Sequence, residues 1–156
     1  MKRFTVIGLG KFGFHVVRTL HEEGNEVVAI DMDQTRIQEV DPFCTEAIVL
    51  DARDKDRLRS LGLEEMDAVV VSSGEDISTS VLVTLYLQEI GVKRILAKAV
   101  DEDHGKILKK VGATEVIHPE KSMAVKVAQG LSRPNILDFI PLSEDYTLLQ
   151  IAPPQA

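Results

Sequence analysis

The residues with the clearest chemical use are three glycines and an acid. Gly8, Gly10 and Gly13 form a G-x-G-x-x-G pattern, and Asp31 stands eighteen positions beyond the last of them. At the first position glycine allows a sharp turn out of a strand. At the second it leaves no Cβ between the backbone and an approaching pyrophosphate, and at the third it lets a helix pack closely on a sheet. A helix that begins in such a turn directs its free N–H groups and the positive end of its dipole at a phosphate. A carboxylate at the tip of the next strand can accept two hydrogen bonds from a ribose diol, and its charge repels a 2′-phosphate, which argues against NADP. An adenosine nucleotide site is therefore expected, although a glycine turn kept for structure alone would have the same residues.

The flanking elements fit that purpose. Phe4 to Ile7 is a short apolar run rich in β-branched and aromatic residues, and it ends at Gly8. From Lys11 the period lengthens to helical spacing at Phe12, Val16, Val17 and Leu20, with Gly24 placed as a C-terminal cap. Val27 to Ile30 is a second apolar run that closes on Asp31. The alternation then continues: a helix capped by Asp33 and ended by Pro42, a strand over Ala47–Leu50, and a helix over Asp54–Leu61 with Gly62 as cap. A strand at Ala68–Val71 leads to a helix from Asp76 to Ile90, a strand at Arg94–Ala99, and a helix from Asp101 to Val111. A strand at Glu115–Ile117 and a helix begun by Pro119 complete the series. This β-α alternation predicts an α/β fold with a doubly wound parallel six-stranded Rossmann-type sheet in order 3-2-1-4-5-6.

In such a sheet a ligand lies beyond the carboxyl ends of the strands. Candidate site residues gathered from those ends are Gly8, Gly10, Lys11, Phe12 and Gly13 after strand one, and Asp31 and Met32 after strand two. Asp51 and Ala52 follow strand three, Ser73 and Gly74 strand four, Lys98 ends strand five, and Glu120 follows strand six. Asp51 either meets the adenine edge or caps the next helix. Ser73 and Gly74 line the phosphate side or simply make a small-residue turn. Lys98 reaches phosphate or is solvated, and Lys11 points toward the phosphates, toward a neighbouring subunit, or into solvent.

Composition narrows the function. The chain has 156 residues, 44% of them hydrophobic, enough for a real core. The net charge of −7 disfavours nucleic acid as a partner. Cys44 is the single cysteine, which excludes a disulfide framework and a cysteine metal cluster, and the four histidines lack metal-ligand spacing. Met1-Lys2-Arg3 leads straight into a strand, and the twelve uncharged residues Ile77–Gln88 cannot span a bilayer, so a cytoplasmic chain is expected. No G-x-S-x-G, no Walker lysine and no tyrosine–lysine dehydrogenase pair is present, so a nucleotide site without catalysis, a sensor, is expected. The alternative is the cofactor-binding half of an NAD-dependent dehydrogenase. The helix over Asp76–Ile90 is apolar almost all round, which suggests burial against both the sheet and a second subunit.

The final residues read differently. Pro134 breaks the pattern, Asn135–Ile140 could make one or two helical turns, and Thr147–Ile151 reads as a strand with no partner in the remaining chain. Two regions are expected: residues 1–133 as the nucleotide-binding domain, and 134–156 as a helix followed by the start of another lobe.

Several segments together resemble a known family. Phe4–Gly13, Asp31, Ser72-Ser73-Gly74-Glu75-Asp76, Ala97-Lys98-Ala99 and Val116-Ile117-His118-Pro119-Glu120-Lys121 are similar to the RCK (KTN, TrkA-N) regulatory domains of KtrA/TrkA-type potassium uptake systems. The resemblance implies that Asn135–Ile140 is the crossover helix through which such proteins dimerise. It also implies an octameric ring at the inner face of the cell membrane, beneath a membrane-embedded potassium-translocating subunit. Bound nucleotide, ATP or ADP in preference and NAD(H) in some members, changes the ring's shape and so gates ion flux. Where KtrA-like members carry an arginine that reaches the terminal phosphate of the neighbouring subunit, this chain has Lys11, which cannot make a bidentate contact. Glu120 matches the acid near an intersubunit divalent-cation site. The family's C-terminal lobe is represented only by its first strand.

Overall fold

A computed structural model describes residues 1–73, 76–133, 136–141 and 147–151. The chain divides into two compact units, Met1–Ile117 and His118–Ala156.

The first unit alternates strand and helix from end to end: β1 (Arg3–Ile7), α1 (Lys11–Glu22), β2 (Glu26–Asp31), α2 (Gln34–Val40), β3 (Glu46–Val49) and α3 (Lys55–Arg59). There follow β4 (Ala68–Val71), α4 (Ile77–Ile90), β5 (Ile95–Lys98), α5 (Glu102–Val111) and β6 (Glu115–Ile117). Every strand pair is parallel, in the order β3-β2-β1-β4-β5-β6. The expected doubly wound sheet is the observed one.

Alternate side chains of the strands feed two cores, one on each face. Ile7, Ile30, Val69 and Val71 pack with Leu58 of α3, Val83 and Leu87 of α4 and Leu108 of α5. Val6, Val27, Ala29 and Val70 pack with Val17 of α1 and with Ile37 and Val40 of α2. A strand covered on both faces must be apolar throughout, which is why β4 is Ala-Val-Val-Val and buried at every position.

Aspartates fix the helix starts. The side chains of Asp33, Asp54, Asp76 and Asp101 accept backbone N–H groups of Thr35, Arg57, Thr79 and His104 at the first turns of α2, α3, α4 and α5. The third helix is shorter than expected: it stops at Arg59, and Gly62 opens a separate turn over Leu63–Glu65 instead of capping it. Helix α4 buries a single stripe of Ser80, Val83, Thr84 and Leu87, while Ile77 is exposed and Val81, Leu82 and Leu85 are half-buried.

The second unit contains α6 (Pro119–Ser132) and an antiparallel pair, β7 (Ile136–Pro141) with β8 (Thr147–Ile151). The helix expected over Asn135–Ile140 is therefore corrected to a strand from Ile136 onward; Asn135 lies outside the described residues. Six residues rich in Ile and Phe are too few for a helix to sustain itself, whereas pairing with a second strand satisfies the backbone. The strand at Thr147–Ile151, expected to lack a partner, pairs with β7. Met123, Val125, Val127 and Leu131 of α6 are exposed. Among the described residues no helix is long and apolar enough to cross a membrane.

Candidate functional site

The register of the three central strands puts Ile7 level with both Ile30 and Val71. The glycine turn, Asp31 and Ser72 therefore leave the sheet side by side at its carboxyl edge. This is the place where the strand order reverses, since β1 leads outward to β2 and the chain later returns to β1's other side with β4.

The three glycines do different work there. Gly8 has φ +95°, and a Cβ on it would lie 2.7 Å from the backbone nitrogen of Ser73. A Cβ on Gly13 would fall onto the Gly8 carbonyl oxygen and lie 3.2 Å from the Ser72 hydroxyl. These two positions are closed by the protein's own backbone. Gly10 is the opposite case, because nothing lies within 4 Å of its Cβ position. It is the residue before α1, and the first backbone donor returned to the helix is Phe14 N–H to Gly10 C=O at 2.9 Å. The amides that precede it, those of Lys11, Phe12 and Gly13, face outward from the helix start without the intrahelical acceptor that later residues have. An open space above unpaired amides is what a phosphate requires.

Asp31 is nearly buried, with its side chain 9% exposed. Its Oδ2 accepts Leu9 N–H at 2.8 Å and its Oδ1 accepts Asp33 N–H at 2.8 Å, with the Arg36 guanidinium 3.7 Å from Oδ2. The carboxylate thus ties the end of β2 to the glycine turn. Each oxygen has a second acceptor position, so the same group can take a ribose hydroxyl as well. Met32, beside it, is exposed.

Asp51 is held by a different partner from the one expected. It does not cap α3, a task performed by Asp54; its oxygens accept the backbone N–H, Nε and Nη2 of Arg53 at 3.0, 3.1 and 3.0 Å. This paired guanidinium holds the Asp51 carboxyl below its ordinary value of 3.8. Ala52, next in the chain, is buried.

At the end of β4, the hydroxyls of Ser72 and Ser73 are buried and, among the described residues, make no hydrogen bond. Buried hydroxyls of that kind are costly unless something else pairs with them, and both lie beside Gly8 or Gly13. Gly74 lies outside the described residues. Lys98 is half-buried, and its Nζ stands 5.8 Å from the centroid of the Phe12 ring in the first turn of α1. Lys11 is exposed at the first position of α1. Glu120 belongs to the second unit, where it is exposed in the first turn of α6. No cluster of three or more His, Cys, Asp or Glu side chains able to hold a metal ion occurs among the described residues.

The structure thus brings the glycine turn, Phe12, Asp31, Ser73 and Lys98 to one edge. Ser72 follows the same strand as Ser73 in the sequence but is not among the candidate residues, and Arg53 is not considered there at all. Ser72 carried a signal, a polar residue directly after the Ala-Val-Val-Val strand. Arg53 carried none, because its role depends on the turn that folds it back onto Asp51.

Unpaired helix-start amides, a carboxylate on the adjoining strand tip and orphaned hydroxyls opposite fit a nucleotide-binding α/β domain. Residues 4–119 match the family model of the TrkA-N domain, and the chain belongs to that family. It is 42% identical over 150 residues to Ktr system potassium uptake protein C of Bacillus subtilis, covering 96% of this chain and 68% of that protein. It is 35% identical to Ktr system potassium uptake protein A of Vibrio alginolyticus, with the same shares covered. Among solved structures, the NAD(P)-binding domain of an exopolyphosphatase-related protein from Archaeoglobus fulgidus superposes with a TM-score of 0.75 at 21% identity, over 85% of this chain and 99% of that one. The GsuK channel bound to NAD superposes with a TM-score of 0.66 at 14% identity, over 74% of this chain and 21% of the channel, and an ADP-bound form of GsuK has the same fold.

Proposed function

We propose that this chain is a non-catalytic, nucleotide-sensing regulatory subunit of a potassium uptake system. It works in the cytosol against the inner face of the membrane, where it gates a membrane-embedded potassium-translocating partner. The observation that carries this reading is the open space over Gly10 at the start of α1, on the sheet edge that also carries Asp31 and the unpaired hydroxyls of Ser72 and Ser73. Relatives named as Ktr uptake proteins, 42% and 35% identical, supply the transport context.

In this reading the amides of Gly10, Lys11, Phe12 and Gly13 hold the phosphates, Asp31 the ribose, and Asp51 with Ala52 the adenine edge. Ser73, Gly74 and Lys98 close the phosphate side, and Met32 flanks the sugar. ATP and ADP are the favoured ligands, with NAD(H) as the alternative. Glu120, with Lys11, contributes across a subunit boundary, with a divalent cation accompanying the nucleotide. The exposed Met123, Val125, Val127 and Leu131 of α6 support self-association, and the assembly proposed is a dimer that builds into an octameric ring. Two nucleotides with different affinities for two ring states would shift the ring between them; equal affinities would shift nothing.

Calorimetric titration with ATP, ADP and NAD tests the reading, followed by potassium uptake in cells that carry the membrane partner. Binding of one adenosine nucleotide, lost in Gly10→Val, supports it. Absence of binding by all three removes it.

A further inference from the structure

We propose that Arg53 sets the base preference of the nucleotide site, clamping Asp51 so that the end of β3 accepts a 6-aminopurine and rejects a 6-oxopurine. The inference rests on the nucleotide reading above and deepens it.

The clamp closes from two sides. The backbone N–H of Arg53 and its Nε both donate to Oδ1 of Asp51, and Nη2 donates to Oδ2. A planar guanidinium engaged through two nitrogens fixes the plane of the carboxylate, which a lysine could not do. Oδ1 is filled by two donors and Oδ2 by one, so the open acceptor position lies on Oδ2. The carboxylate of Asp76, ahead of α4, adds its charge to the field on Arg53. Both clamp residues remain reachable, with side chains 43% and 48% exposed.

Next to the carboxylate stands a donor of the opposite sense. Among the described residues no acceptor pairs with the N–H of Ala52. An acceptor and a donor one residue apart complement the 6-amino group and N1 of adenine. Guanine and hypoxanthine reverse both signs: O6 would meet the carboxylate, and N1–H would meet the Ala52 N–H. An unengaged arginine is a good partner for O6 and N7 of guanine. Here the Nε N–H and one Nη2 N–H are spent on Asp51, so the edge of the guanidinium that faces the carboxylate, where the base would lie, has no donor left for a 6-oxopurine.

Arg53 acts through Asp51 and is a positioning residue, so the readout must be a ratio. The 156-residue chain is titrated calorimetrically with ATP and with inosine triphosphate, which differ only at the base. The wild-type chain is expected to prefer ATP by about tenfold or more, the scale of one charge-assisted hydrogen bond. In Arg53→Ala the ratio should fall severalfold, because ATP weakens while inosine triphosphate holds or gains. Arg53→Lys keeps the charge without the fork and should fall between the two. A merely structural role would weaken both ligands together and keep the ratio. A wild-type ratio near one, or an unchanged ratio in both variants, overturns the assignment. If Arg53→Ala does not fold, Asp51→Asn, which can offer the base either a donor or an acceptor, carries the same test. Failure of the wild-type chain to bind either nucleotide overturns the site itself, and is thereby distinguished from failure of the base assignment.

Discussion

The carboxylate of Asp31 accepts the backbone N–H of Leu9 at 2.8 Å, joining the tip of one strand to the phosphate turn of its neighbour. An acid expected only to grip a sugar is therefore also part of the scaffold. Asp31→Ala should lower stability by about 1–3 kcal/mol, the range for losing hydrogen bonds made by a charged group. It should also weaken adenosine nucleotides by a comparable amount. Thermal unfolding without ligand and calorimetry with it separate the two losses; unchanged affinity would leave Asp31 a structural residue alone.

Gly10 and Gly13 should respond in opposite ways. The space around Gly10 is open and its φ of −66° suits any residue, so Gly10→Val should cost about 1 kcal/mol or less while abolishing nucleotide binding. Gly13→Ala places a methyl on the Gly8 carbonyl and should cost about 3 kcal/mol, at the upper end of overpacking. Denaturant unfolding beside a binding titration checks both. Binding retained by Gly10→Val would remove the phosphates from the turn.

Lys98 stands over the Phe12 ring, at the edge where the phosphates are proposed. Lys98→Met keeps most of the side-chain bulk and removes the charge. It should weaken ATP more than adenosine, by about tenfold for a lost charge-assisted contact. Equal weakening of both would assign Lys98 to packing on Phe12.

Asp51 and Asp76 both titrate below the ordinary 3.8, Asp51 chiefly through the Arg53 side chain and Asp76 through the Thr79 hydroxyl. A lowered folded-state value contributes stability that is present above 3.8 and is lost as pH falls through the lower, folded value. Unfolding measured from pH 6 down to about 2 should be flat in its upper part and fall at the acid end. In Arg53→Ala the acid fall should be shallower.

Burial pushes the Cys44 thiol up to about 11, with Asp41 adding to the effect. Since the thiolate is the nucleophile, alkylation of the folded chain at pH 8 should be slow and should accelerate on unfolding. Mass spectrometry of iodoacetamide-treated protein checks this. Fast labelling of the folded state would count against the burial assigned to this loop.

The sheet order was legible because each strand between Phe4 and Ile117 is short and followed by a helix marked by an aspartate start, a glycine stop or, for α6, a first-turn proline. The family resemblance was legible for the same reason, since its segments sit at strand tips that the pattern had already located. Asp31 was legible as a candidate at a strand tip but not as a tie to Leu9, because a hydrogen bond to a backbone amide leaves no trace in residue type. The pairing of Arg53 with Asp51 was hidden in the same way. Ile136–Pro141 misled because a six-residue apolar run carries too few periods to distinguish helix from strand. Its partner, Thr147–Ile151, was read correctly as a strand and wrongly as solitary.

β1 is hydrogen-bonded on both sides, to β2 and to β4, and it delivers the glycine turn. The turn is therefore anchored on an interior strand of the sheet. The paired amides of β1 should be among the last to exchange with deuterium, and a ligand arriving at the turn has little freedom to deform its own cradle. Whatever motion follows occupancy must start instead from parts held less closely: the exposed first turn of α4 and the half-buried side chain of Lys98. Regulation in such a molecule runs outward from a stiff centre to a yielding rim.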